Sequence, residues 1–175
     1  MSSSIVIFYS RTGNTRVVAH CLAEITGAEL EELTPATYHG GSWGWLKAIA
    51  EAAFGRMPRL LQPLEDVGDY DVVYIGGPIW VGRCAPAVRS YARRYLPGTH
   101  RLAFFATQGG TSIRRAWADL ARLCGTEPVA TLTVRADHVR DPELRGEIAR
   151  FAIRAQRAPV PGGVGAAHRE SAPMA

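Results

Sequence analysis

Lysine is almost missing from this 175-residue chain: Lys47 stands alone, and arginine supplies the rest of a basic complement that leaves a formal net charge of +4. The basic residues have no aromatics interleaved among them and form no recognised reading motif, which excludes nucleic-acid binding. Cysteine is scarce too. Cys21, Cys84 and Cys124 are odd in number, far apart and without a C-x-x-C pair, so neither a disulfide framework nor a zinc knuckle is expected. The five histidines are scattered, and no metal site is expected from them. Long apolar runs are lacking as well. A membrane span needs about 20 consecutive apolar residues, against the short run at 5–9, and "MSSS" offers no basic residues ahead of it for an export signal. The expectation is a cytoplasmic protein with no membrane span. What is present, 47% hydrophobic and 21% charged residues, suits one globular domain that buries roughly 70% of its unfolded surface.

Short apolar runs alternate with segments of helical period. Strands are expected at 5–9, 71–75, 102–107 and 129–134, with a weaker one at 29–33. The runs at 5–9, 102–107 and 129–134 are nearly continuous, as in parallel strands covered on both faces. Between them, Val18, Cys21, Leu22 and Ile25 recur at the spacing of one helix face, ahead of a capping Gly27, and place Cys21 in the core. Val88, Tyr91, Ala92 and Tyr95 repeat the pattern, as do Ile113, Ala116, Trp117, Leu120 and Cys124. Asp141 and Pro142 read as N-cap and first residue of a last helix that turns Leu144, Ile148, Phe151 and Ala155 inward. Five strands alternating with helices predict a doubly wound α/β sheet. Residues 35–69 are too long for an ordinary connection and read as an insertion, either a lid or binding loop or a helix packed on the sheet. Residues 158–175, without period, read as a disordered tail.

The stretch "IVIFYSRTGNT" runs from a strand directly into hydroxyls, a glycine and an amide. At the carboxyl edge of a parallel sheet a new helix presents unpaired N–H groups, and an anion fits there. Ser10, Thr12 and Thr15 offer hydroxyls, Gly13 permits a tight turn and Asn14 tolerates turn geometry. A phosphate could be held this way without a lysine, since hydrogen bonds to a charged group contribute about 1.5–3 kcal/mol each. Neither the Walker spacing nor the three-glycine dinucleotide fingerprint occurs. Ser10 and Arg16 have the separation of a tyrosine-phosphatase loop, but a serine in place of a low-pKa thiolate disfavours covalent phosphoryl chemistry. A receiver domain is disfavoured because acidic residues are lacking at the end of the first strand.

"SRTGNT" resembles the FMN phosphate loop of the flavodoxin family. "GGPIWVGRCAP", residues 76–86, resembles the family's first flavin loop in the branch with a G-x-P-I-W-x-G signature, and "ATQGGTS", residues 106–112, its second. The resemblance covers about residues 4–157 and implies a flavodoxin-like three-layer sandwich, its five-stranded parallel sheet in the order 2-1-3-4-5 with helices on both faces. It implies FMN as cofactor. The cofactor-binding residues are then Ser10, Arg11, Thr12, Gly13, Asn14 and Thr15 in the first loop, Pro78, Ile79, Trp80, Val81 and Gly82 in the second, and Thr107, Gln108, Gly109 and Gly110 in the third. A flat amphipathic ring needs an apolar wall and backbone partners along its edge. Trp80, Pro78 and Ile79 are expected to form the wall, and Gly82, Gly109 and Gly110 to let the chain approach; Thr111 is a further polar contact.

Family membership would imply a redox protein acting on a partner protein or a small electron acceptor such as a quinone, with NAD(P)H an open candidate as donor. A one-electron carrier without NAD(P)H oxidation of its own is the alternative, and a non-redox binding protein is the third. No catalytic acid or base stands out. The electron carriers of the family are typically acidic; this chain is basic, and Arg11 and Arg83 near the site predict a less negative potential than an acidic carrier's. The pairs Arg93–Arg94 and Arg114–Arg115 read as ordinary exposed helix faces. Tyr38, Trp43 and Trp45 of the insertion are candidates to roof a substrate pocket or to make a homodimer contact.

Overall fold

Successive side chains of a strand point to opposite faces of its sheet, and here the central strands are buried on both. The computed structural model describes residues 3–36, 57–61, 67–99, 101–110 and 112–159. Five parallel strands, β1 (Ser4–Phe8), β2 (Glu29–Glu32), β3 (Val72–Trp80), β5 (Leu102–Gln108) and β6 (Ala130–Arg135), lie in the order β2-β1-β3-β5-β6. This is the expected flavodoxin-like order. A sixth, two-residue strand, β4 (Arg83–Cys84), pairs antiparallel with the far end of β3.

Helices cover the sheet in pairs. α1 (Asn14–Thr26) and α4 (Leu144–Arg157) lie on one face, where Val18, Leu22, Ile148 and Phe151 meet Val6, Phe8, Tyr74 and Phe105. α2 (Pro86–Tyr95) and α3 (Arg114–Cys124) cover the other, where Val88, Tyr91 and Leu120 meet Ile7, Ile75 and Phe104. α1 stops where Gly27 turns left-handed at φ 68 and its N–H bonds to the Ala23 carbonyl, the C-terminal cap the sequence predicts.

Four expectations change. The run at 129–134 is not covered on both faces: β6 is an edge strand, with Ala130, Leu132 and Val134 buried, Thr131 and Arg135 exposed and Thr133 half-buried. Its threonine methyls and Val134 imitate a central strand, whereas the strand expected at 71–75 is the centre of the sheet, buried from Val72 to Gly77. Cys21 is half-buried at the rim of its helix, with its sulfur 3.8 Å from Arg145 Nη1. The last helix starts two residues late. Residues 135–144 form successive three-residue turns, and the Asp141 carbonyl accepts the Leu144 N–H at 3.1 Å, so Asp141 and Pro142 lie ahead of the helix. Finally, β3 runs on through Pro78 and Ile79, where a loop is expected.

Two glycines let β3 do this. A Cβ on Gly76 would stand 2.5 Å from the Phe105 ring and from the Phe105 carbonyl oxygen, and one on Gly77 would stand 2.6 Å from Val88 Cγ2. Overfilling a packed core costs about 1–3 kcal/mol, and a backbone atom cannot swing away. Gly76→Ala is therefore expected to lower the unfolding free energy by about 3 kcal/mol, read as a fall in the denaturant midpoint; an unchanged midpoint would refute this packing.

The insertion is pinned at its ends. Pro35 and Leu60 form an antiparallel bridge, flanked by bonds from the Ala36 N–H to the Arg59 carbonyl and from the Leu61 N–H to the Thr34 carbonyl. It thus leaves from the carboxyl end of β2 and returns across α2, where the Ser90 hydroxyl donates to the Pro58 carbonyl at 2.7 Å. Tyr38, Trp43 and Trp45, the helical run expected there, Thr111 and residues 160–175 of the expected tail lie outside the described residues.

Candidate functional site

Three of the parallel strands end side by side. Register pairs Phe8 with Gly76 and Pro78 with Thr107, so the segments after β1, β3 and β5 emerge together at the carboxyl edge. β1 connects to its neighbour on one side and the chain then crosses to β3 on the other, so a crevice opens at this switch point.

The first segment enters α1. Gly13 precedes the helix at φ 94, a left-handed conformation that opposes any side chain, and its carbonyl accepts the first helical bond, from the Val17 N–H. A helix leaves its first N–H groups without partners inside the helix. One of these here, from Arg16, is taken by the Ser10 hydroxyl at 3.2 Å. Accepting that bond leaves the Ser10 proton free to donate elsewhere. Arg11 and Thr12 are exposed, and Asn14 is half-buried. Thr15 is buried and its hydroxyl lies 2.7 Å from that of Thr107, tying the first turn of α1 to the end of β5. That clamp fixes the first loop against the third.

The second segment is a hairpin. Trp80 pairs with Arg83, and the two residues between, Val81 and Gly82, have φ 50 and 72, as in a type I′ turn. A β-branched residue in this region is a strained outlier, and strain of this kind gathers at functional sites. Val81 sits at the tip, 57% exposed. Ile79 is only 6% exposed and belongs to the core, whereas Pro78 and Trp80 keep part of their surface open. Trp80 meets the Tyr9 ring edge-on, with centroids 5.9 Å apart. Tyr9 is a neighbour of Trp80 that the sequence reading passed over, because a strand-ending tyrosine carries no signal of what it will face.

The third segment follows Gln108, whose Oε1 is buried without a hydrogen-bond partner among the described residues. Gly109 and Gly110 come next, the latter at φ 115. A Cβ added at Gly13, Gly109 or Gly110 would meet nothing within 4 Å. Gly82 is nearly as open, with Arg115 Cδ at 3.9 Å as its nearest neighbour. The site glycines thus border free space, the reverse of Gly76 and Gly77.

Behind the hairpin, Arg89 of α2 and Asp119 of α3 form a pair at 2.6 Å with side-chain exposures of 3% and 12%. Burial alone would raise the Asp119 pKa, but the hydrogen bonds from Arg89 and Arg122, with the charges of Arg89 and Arg83, outweigh it and hold the carboxyl below its ordinary range. Cys84 and Cys124 are buried free thiols, each pushed up to about 12 by burial, which removes them as nucleophiles at neutral pH. Arg93 and Arg94 do not face this edge. They line, with Met57, Arg59 and Tyr95, a cavity of about 580 Å³ at the other end of α2, where the Arg94 guanidinium stacks on Tyr95.

Among the described residues, no helix is long and apolar enough to cross a membrane. The family model for flavodoxin matches residues 3–132. None of the curated proteins matches the chain. Solved structures do. A Bacteroides eggerthii protein assigned as a flavoprotein superposes with a TM-score of 0.68 at 24% identity, covering 87% of this chain and 99% of its own. One from Bacteroides uniformis, assigned likewise, gives 0.67 at 23%, covering 79% and 96%. A flavoprotein from Lactobacillus acidophilus, solved in complex with FMN, gives 0.64 at 21%, covering 87% and 99%. At these identities the likeness establishes a shared fold.

Proposed function

The chain belongs to the flavodoxin family, and from that membership we propose that it binds FMN at the joint edge of β1, β3 and β5 and exchanges electrons through it with a partner protein or a small acceptor such as a quinone. The observation that carries this reading is the meeting of three loops at one sheet edge, the first clamped to the third through Thr15 and Thr107. Within them, Gly13, Gly109 and Gly110 border open space in the first and third loops, while Gly76 and Gly77 at the end of β3 are closed by packing. The unpartnered Gln108 Oε1 points to a missing donor at the same place.

The residues present fit the group. Helix N–H groups at Gly13 to Thr15, with the hydroxyls of Ser10 and Thr12, would hold its phosphate, and Arg11 adds charge at the loop. Trp80 and Pro78, braced by Tyr9, would wall the ring, and Gln108 would accept a hydrogen bond from its polar edge. FMN, when bound, supplies one- and two-electron redox chemistry; the protein's part is to position it, exclude water from one face and set the local charge.

That charge has a measurable consequence. A unit charge about 10 Å away at an effective dielectric near 20 is worth about 1.7 kcal/mol, or about 70 mV for one electron. Arg83→Gln is expected to lower the midpoint potential by up to about 70 mV in an anaerobic redox titration, and no shift would remove Arg83 from the account.

The reading itself is tested by adding FMN, recording the flavin absorbance and mixing anaerobically with NADH and NADPH. Rapid bleaching by either supports a reductase. Bleaching by dithionite or a partner reductase alone supports a carrier. No binding of FMN overturns both.

A further inference from the structure

Some arginines of the surface have carboxylate partners, Arg16 with Glu32, Arg122 with Asp119, Arg135 with Asp137 and Arg145 with Glu24, whereas others, such as Arg150, Arg154 and Arg157 of α4, form no ion pair among the described residues. At the hairpin two elements bring such unpaired arginines near one another. Arg114 and Arg115 occupy the first turn of α3, both exposed, and that turn holds no acidic residue. Arg115 Cδ lies 3.9 Å from where Gly82 would carry a Cβ, and Arg83 leaves the same turn opposite Trp80. Among the described residues, none of the three forms an ion pair.

Cations at a helix N-terminus oppose its dipole, so this placement works against local stability. It concentrates positive potential instead. Arg115 Cδ stands beside Gly82, Arg114 precedes it on the positive helix end, and Arg83 follows the strained, exposed turn at Val81; charge of one sign lining a cleft raises the encounter rate of opposite charges by about 10- to 1,000-fold. The cluster is compact, drawn from one turn and one helical turn, which suits a small multiply charged molecule better than the broad face of a protein.

Resting on the reading that FMN occupies this edge, we propose that Arg83, Arg114 and Arg115 select the electron-exchange reactant by charge, favouring a small molecule that carries carboxylate, sulfonate or phosphate groups. The probes are hexacyanoferrate(III), an anion, and hexaammineruthenium(III), a cation. Each takes one electron from the dithionite-reduced holoprotein, becoming the iron(II) or ruthenium(II) complex, and neither takes up a proton.

In stopped flow at low salt, the triple variant R83Q/R114Q/R115Q is expected to react at least about fivefold more slowly with hexacyanoferrate(III) and to lose most of the salt dependence of that rate. Its rate with hexaammineruthenium(III) should stay equal or rise. The charge-preserving R83K/R114K/R115K should restore the anion rate. Removing three exposed charges from α4, as R150Q/R154Q/R157Q, should leave it within about twofold. An equal slowing toward both reagents, an unchanged triple variant, or an equal loss in the α4 control would overturn the proposal while leaving bound FMN in place. Absence of bound flavin would overturn the cofactor reading and this one together.

Discussion

Asp119→Ala is expected to cost about 3–5 kcal/mol of folding stability, because removing one member of a buried ion pair strands the other's charge. The geometry leaves Arg89 little recourse. Its Nε donates to Asp119 Oδ2 at 2.6 Å, its side chain is 3% exposed, and its Nη1 has no partner among the described residues. The pair joins α2 to α3 beneath the hairpin, so its loss should also loosen the second cofactor loop. A cycle separates charge from packing: Arg89→Met with Asp119→Leu removes both charges at similar volume and is expected to recover most of the loss. Denaturant unfolding of the wild type, Arg89→Met, Asp119→Leu, their double variant and Asp119→Ala checks it, and a double variant as unstable as Asp119→Ala would reject the electrostatic account.

The same pair sets an acid limit. The folded pKa of Asp119 lies below its unfolded value, so the unfolded chain binds more protons in the interval between them and stability rises with pH there. The contribution is complete above the ordinary carboxylate value near 3.9 and is lost as pH falls through the lowered folded value. Asp119→Ala should therefore show a shallower acid limb in its stability–pH curve.

Cofactor choice should respond as strongly to the first loop. The wild-type protein is expected to prefer FMN over riboflavin by at least about 100-fold, since two or more charge-assisted bonds to phosphate at about 1.5–3 kcal/mol each exceed that ratio. Ser10→Ala with Thr12→Ala should cut FMN affinity by at least about 100-fold and leave riboflavin binding nearly unchanged. Ser10 also caps the Arg16 N–H, so the variant loses about 1 kcal/mol of stability independently, and fluorescence titrations belong well below its melting temperature. Affinity for both flavins falling together would mean that the loop shapes the ring pocket and does not grip phosphate.

Helices and central strands were legible because burial imposes a period. Leu22, Ile148, Phe151 and Leu120 fall on faces that the 3.6-residue repeat marks without ambiguity. The first loop was legible because hydroxyls, glycine and amide between a strand and a helix have few other uses. The end of β3 was not. Gly76, Gly77 and Pro78 are all turn-formers by composition, and only the close approach of Phe105 and Val88 explains two glycines inside a strand. β6 misled in the opposite sense, because Val, Leu and Thr read alike whether one face or two are covered. The Arg89–Asp119 pair left no trace at all: residues 30 apart on different helices share no period, and either alone resembles a solvated charge.

By itself, then, the sequence determined the alternation of elements, the two apolar layers and the three chemically marked loops, since these depend on local chemistry and on periodicity along the chain. Tertiary structure alone decided which glycines are packed and which are open, how Tyr9 braces Trp80, how Thr15 locks to Thr107 and that Arg115 of α3 comes beside Gly82 of the hairpin. Those are distances between segments remote in the chain, set by how strands stack side by side.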